Sequence, residues 1–305
     1  MASPTGTDDA PFGRMLTAMV TPFAHDGTVD YSGVRRLAAH LVDEQRNDGL
    51  IVSGTTGESP TTTDEEKRRI LATVLETVGD RATVVAGAGT NDTLHSVELA
   101  RAAAREGAHG LLVVTPYYNK PPQEGLYRHF AQVADATALP VMLYDIPGRS
   151  GVPIATETLI RLAQHEQIVA VKDAKGDLFA AGQVMLATDL AFYSGDDLLN
   201  LPWLSVGAAG FVSVVGHVVG AELAEMIHLH RDGRPQEALE IHRRLLPVVD
   251  GIMLRAGGAI MAKAALRLAG VPAGPVRLPL VDADERQLAE LRTCLVAGGV
   301  KLTDS

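Results

Sequence analysis

Lys172 ends the apolar run Gln167-Ile168-Val169-Ala170-Val171-Lys172, and of the chain's six lysines it alone is set inside a strand-like segment. The β-branched and small apolar side chains before it read as a buried strand. An amine at the end of such a strand loses hydration, which favours its neutral form. A neutral lysine is a nucleophile that forms a Schiff base with a carbonyl substrate. The alternative is a lysine that snorkels from the strand end into solvent.

Other groups suited to chemistry follow similar apolar runs. Gly54-Thr55-Thr56-Gly57-Glu58 sets two hydroxyls between glycines, where the backbone is free to approach a ligand and offer N–H donors to a carboxylate. It could equally be a plain turn, and Thr63 with Glu66 makes a capping box for the helix that follows. Thr115-Pro116-Tyr117-Tyr118-Asn119-Lys120 holds two of only six tyrosines in a proline-braced loop, either as site residues or as interface aromatics. Tyr144-Asp145-Ile146-Pro147-Gly148-Arg149 sets a phenol at a strand end and a guanidinium in the loop. Arg149 could form a surface ion pair, but a guanidinium fork is also the usual carboxylate clamp. Ser194-Gly195-Asp196-Asp197 follows a further run. Together these groups imply carbonyl activation by a lysine imine, with an acidic substrate held by Arg149. No metal-ligand spacing is present: His228 and His230 are two apart on a helical segment and face different ways.

The elements that must position these residues alternate. Eight short apolar runs (Met15–Val20, Leu50–Val52, Thr83–Ala86, Gly110–Val114, Val141–Tyr144, Ile168–Lys172, Ala191–Ser194 and Gly210–Val214) are separated by helical patterns such as Glu65–Val78 and Leu94–Glu106. Near-continuous apolar strands alternating with helices imply a parallel sheet covered on its outer side. Eight such units suit an α/β fold of the (β/α)8 TIM-barrel type, in which chemistry sits at the C-terminal strand ends. A dinucleotide-binding sheet is the rival, but Gly87-Ala88-Gly89 is followed by Asp92 where a third glycine is needed. After Gly233 the strands stop. Pro235–Val248, Ile252–Leu268 and Asp284–Val296 read as three more helices, an extension more often used for packing or assembly than for catalysis. The expected division is a disordered tail over 1–11, a catalytic barrel over 12–233 and a helical extension over 234–305.

A formal charge of −10 argues against a nucleic-acid or anionic-membrane surface. The single cysteine, Cys294, excludes an internal disulfide framework and fits a reducing, cytoplasmic location. The first ten residues lack the basic and apolar blocks of a signal peptide. The charge-free stretch Leu198–Ala221 contains Pro202 and four glycines, and reads as helix, buried strand and helix start rather than a membrane span.

Five motifs occur in order: Ala18-Met19-Val20-Thr21-Pro22-Phe23, Gly54-Thr55-Thr56-Gly57-Glu58, Tyr117-Tyr118-Asn119-Lys120-Pro121, Tyr144-Asp145-Ile146-Pro147-Gly148-Arg149 and Val171-Lys172-Asp173-Ala174. With them the chain, from about Phe12 to the C-terminal helices, resembles the dihydrodipicolinate synthase family of class I pyruvate-dependent aldolases. The resemblance implies a barrel with a helical extension, assembled as a homotetramer (a dimer of dimers). It implies that Lys172 condenses with pyruvate and that the enamine attacks L-aspartate 4-semialdehyde, the first committed step towards diaminopimelate and lysine. No organic cofactor or metal is implied. By position, Tyr144, Thr55 and Tyr118 would form a proton relay, with Tyr118 reaching into a neighbouring subunit's site. Thr55 and Thr56 would bind the pyruvate carboxylate, Arg149 would hold that of the semialdehyde, and the backbone of Gly195 and Val212 would line the pyruvate pocket.

Two departures matter. Many members carry asparagine where Asp145 stands, which adds a charge beside the relay. Lysine-inhibited members carry histidine at the position of Lys67 and glutamate at that of His95. A cation at Lys67 and no anion at His95, near Asp64, imply weak or absent lysine feedback. Sibling sugar-acid aldolases would share Lys172 but usually lack the arginine after Pro147-Gly148. A pyridoxal-phosphate enzyme would need a phosphate loop that is absent, and a non-catalytic scaffold would be expected to have lost relay residues.

Overall fold

A computed structural model describes residues 9–303, so the first eight residues of the expected tail lie outside the described residues. Within the rest of that stretch, Ala10 is buried and Asp9 pairs with Arg14 at 2.6 Å. Eight strands follow: β1 (Met15–Ala18), β2 (Gly49–Val52), β3 (Thr83–Gly87), β4 (Gly110–Val114), β5 (Val141–Asp145), β6 (Ile168–Asp173), β7 (Ala191–Ser194) and β8 (Gly210–Ser213). Each pairs in parallel with the next, and β8 returns to β1, closing an eight-stranded barrel. Helices connect the strands around the outside, which makes this a (β/α)8 TIM barrel with a C-terminal helical extension.

Strand side chains alternate in direction, so every second residue points into the barrel. Leu16, Ile51, Val85, Leu112, Met142 and Val212 form the interior cluster, while their neighbours pack outward against the helices. Phe12 closes the bottom, its ring edge-on to Tyr193, whose hydroxyl donates to the Gly13 carbonyl at 2.9 Å. At the top, His217 is fully buried and ties β1 to β8. Its Nε2 accepts from the Val20 N–H at 3.1 Å, which leaves Nδ1–H to donate to the Val214 carbonyl at 2.7 Å.

The helix following β2 starts where the capping box requires, Thr63 accepting from the Glu66 N–H and Glu66 accepting from the Thr63 N–H. In the extension, the helices Pro235–Val249 and Glu285–Ala297 lie within a residue of their expected positions. Ile252–Leu268 differs from the single helix expected. A π-helical turn over Asp250–Leu254 ends at Arg255, and a new helix starts at Gly258. The adjacent Gly257 and Gly258 explain the break, because glycine is among the weakest helix formers.

Candidate active site

Lys172 lies two residues beyond the inward-facing Ala170, so its side chain enters the barrel, where it is 4 % exposed. It pairs across the sheet with Tyr144, and its Nζ lies 4.1 Å from the centre of that ring. Nζ donates no hydrogen bond to any described residue. Burial pushes the ammonium down to about 7, with the Asp197 carboxylate opposing and the Arg149 guanidinium assisting. The amine is therefore substantially neutral near physiological pH. Gly195 explains how the lysine fits: a Cβ there would stand 2.9 Å from Lys172 Cγ and 3.0 Å from Cε.

Burial raises the Tyr144 phenol to about 12, opposed by Arg149 and by a hydrogen bond with Thr55. It thus remains a proton donor at neutral pH. Tyr144 is also part of the wall of a cavity of about 220 Å³, together with Thr55, Tyr117, Ile146 and Arg149, among others. Arg149 sits in the short helix Pro147–Ser150. Among the described residues no carboxylate pairs with it, so its donors are free for an acidic ligand. Thr56 is buried in the same turn as Thr55, and the turn closes through the Glu58 N–H to the Thr55 carbonyl at 3.1 Å. The N–H groups of Thr55 and Thr56 donate to no described acceptor, which leaves them available to a carboxylate.

Of the remaining expected site residues, Val212 shares the barrel-interior cluster with Tyr144, whereas Tyr118 stands off from it. Val212 packs inside the barrel on β8. Tyr118 is 89 % exposed, with φ at +74°, and is not part of the cavity wall; its neighbour Tyr117 takes that place within one chain. Asp145 follows the inward-facing Tyr144 and points the other way. Its Oδ2 lies 3.1 Å from Lys175 Nζ and its Oδ1 accepts from the Ile154 N–H, so it anchors the loops that follow β5 and β6. Burial raises its carboxyl to about 6, with Lys175 opposing.

Two groups near the site were not singled out from sequence. Asp197 is buried and accepts from Ser213 Oγ (2.6 Å), Asn200 Nδ2 (2.9 Å) and the N–H groups of Val214 and Val215 (2.7 and 2.9 Å). It supplies the negative charge nearest in effect to Lys172. Glu58 ends the Thr55-Thr56 turn and pairs with Lys263 of the extension. An acidic residue inside a motif was visible in both cases, but not the distant segment it meets. Among the described residues no three or more His, Cys, Asp or Glu side chains are grouped to hold a metal ion, and no helix is long and apolar enough to cross a membrane.

A family model described as the dihydrodipicolinate synthetase family matches residues 11–297. The chain is 64 % identical over 300 residues to 4-hydroxy-tetrahydrodipicolinate synthase 2 of Streptomyces coelicolor, covering 98 % of this chain and 100 % of that one. It is 62 % identical to the 4-hydroxy-tetrahydrodipicolinate synthase of Acidothermus cellulolyticus, covering 97 % of this chain and 95 % of the relative. The lysine-bound crystal structure of the synthase from Cyanidioschyzon merolae superposes with a TM-score of 0.92 at 46 % identity, covering 95 % of this chain and 99 % of the other. With a buried barrel lysine and a family match spanning nearly its whole length, the chain belongs to the dihydrodipicolinate synthetase family.

Proposed function

We propose that the chain condenses pyruvate with L-aspartate 4-semialdehyde to give 4-hydroxy-tetrahydrodipicolinate and water, through a Schiff base on Lys172. The observation that carries this reading is the buried amine of Lys172, held near neutrality against Tyr144, whose ring lines a cavity that Arg149 also lines.

The Lys172 amine adds to the pyruvate carbonyl, and the carbinolamine loses water to give the imine. Tyr144 delivers the proton that the departing hydroxyl needs, and Thr55, hydrogen-bonded to it, passes protons onward. Loss of a methyl proton converts imine to enamine, whose carbon attacks the semialdehyde carbonyl. The semialdehyde's own amine then attacks the imine carbon, closing the ring and expelling Lys172. The free N–H groups and hydroxyls of Thr55 and Thr56 hold the pyruvate carboxylate, beside the backbone of Gly195 and Val212. Arg149 takes the carboxylate of the semialdehyde, where a planar fork binds two oxygens at once.

Assembly as a dimer of dimers completes the relay. Asn119 donates to the Asn91 carbonyl at 2.8 Å, which sets the Tyr118 loop beside the helix that exposes Leu94. A tyrosine in a left-handed conformation and in water is costly unless a partner covers it. We assign it to the neighbouring subunit's cavity. Phe179 and Leu186, seven apart on the helix Leu178–Ala187, form a second exposed apolar face for the other pairing. A cytoplasmic location fits this biosynthetic role.

The test is pyruvate-dependent consumption of L-aspartate 4-semialdehyde, coupled to a nicotinamide-dependent reductase. Wild type is expected to turn over and to be inactivated by borohydride only with pyruvate present, while Lys172→Ala does neither. Borohydride trapping without turnover would mean that the imine is right and the aldehyde wrong.

A further inference from the structure

The Thr55-Thr56 turn is fastened from a segment far along the chain. Glu58, its last residue, holds φ at +56°, a conformation that residues with side chains adopt only where their surroundings impose it. Its carboxylate is buried and satisfied entirely from the C-terminal extension. Oε1 accepts from Lys263 Nζ at 2.7 Å and Oε2 from the Arg277 N–H at 2.8 Å, with the two side chains of the ion pair 3 % and 1 % exposed. Lys263 also donates to the Pro275 carbonyl at 2.7 Å. The Arg277 guanidinium donates to the Thr61 carbonyl at 2.7 Å, just past the turn, and to Glu66. Both cations lie over the Phe23 ring, at 4.3 and 4.2 Å. From the barrel side, Thr21 Oγ1 donates to the Gly57 carbonyl at 2.7 Å and Tyr144 hydrogen-bonds Thr55, but neither reaches the Glu58 carboxylate.

We propose that Glu58, Lys263 and Arg277 are positioning residues for pyruvate, through which the C-terminal extension sets the Thr55-Thr56 turn at the geometry that receives its carboxylate. This rests on the reading of that turn given above. A buried ion pair is a weak way to add stability, because desolvation offsets the attraction, and an apolar pair would pack as well. What charge supplies here is direction. Two donors aimed at two oxygens hold Glu58 in its left-handed conformation, and with it the aim of the Thr55 and Thr56 N–H groups.

The test compares Lys263→Met, the doubly neutral Glu58→Gln/Lys263→Met, Thr56→Val and, as a control for lost stability, Leu291→Ala in the buried face of the last helix. Pyruvate KM is expected to rise about tenfold in Lys263→Met and in the double variant, with semialdehyde KM changed less than about twofold. Leu291→Ala should lower the melting temperature without moving either KM. If Thr56→Val raises pyruvate KM but a folded double variant does not, the positioning role is overturned and the reading of the turn stands. If Thr56→Val leaves pyruvate KM unchanged, both fall.

Discussion

At the scale of single residues, the site depends on one amine being neutral while one phenol stays protonated. Lys172 falls to about 7 because burial penalises the ammonium, whereas the same burial lifts Tyr144 to about 12. The neutral fraction of an amine with that value rises roughly tenfold between pH 6 and pH 8. Imine formation with pyruvate, followed by borohydride trapping under single-turnover conditions, should rise by about that factor and level above pH 8. A rate that keeps climbing beyond pH 9 would mean an amine close to its ordinary value of 10.5. Feedback also belongs at this scale. Asp64 is engaged by His95 at 2.9 Å, and the half-buried Lys67 hydrogen-bonds the Thr62 carbonyl. A lysine ammonium would meet a cation there, so lysine below 1 mM should leave turnover essentially unchanged; clear inhibition in that range refutes the expectation.

At the scale of elements, the helix Asp64–Val78 and the connection carrying Arg277 hold each other. Arg277 donates to both oxygens of Glu66, which, with the Thr63 cap, brings that carboxyl from 4.5 down to about 2. A lowered folded value means stability that is fully present above the ordinary value and lost as pH falls through about 2. Glu66→Gln should therefore lower the melting temperature at pH 7 by roughly 2 °C, as befits a partly exposed pair in a chain of this size. That gap should close as the pH approaches 2. A gap independent of pH would mean that the Glu66 charge is not the source of the loss, since glutamine keeps the cap's acceptor. The same contact region shows why Gly274 is glycine: with φ at +70°, a Cβ would stand 1.7 Å from the Phe23 carbonyl oxygen.

At the scale of the whole molecule, the single chain brings Lys172, Tyr144, Thr55 and Arg149 together but leaves Tyr118 in water. Under the assembly proposed above, Tyr118→Trp placed at that interface should weaken association. Sedimentation should show smaller species on dilution, and specific activity should fall with them. Full activity in a monodisperse monomer would remove Tyr118 from the relay.

What the sequence by itself determined follows from local order. Eight apolar runs spaced by amphipathic segments specify a barrel, because parallel strands buried on both faces need nearly continuous apolarity and a helical crossover. The apolar runs Gly110–Val114 and Ala191–Ser194 coincide with strands β4 and β7, and Lys172 is conspicuous because a charged residue at the end of a buried strand needs a reason. The apolar period of Ile252–Leu268 runs through Gly257-Gly258, so the pattern predicts one helix where the structure has a break. Only the tertiary structure decided which distant groups complete the site. Asp197 acts on Lys172 from the loop after β7, and Lys263 meets Glu58 across a sequence separation of 205. It also decided between adjacent tyrosines, giving Tyr117 the cavity and Tyr118 the surface. Periodicity records which face of an element is apolar, whereas the partner of a buried charge is set by where the closed barrel and its extension bring the chain back upon itself.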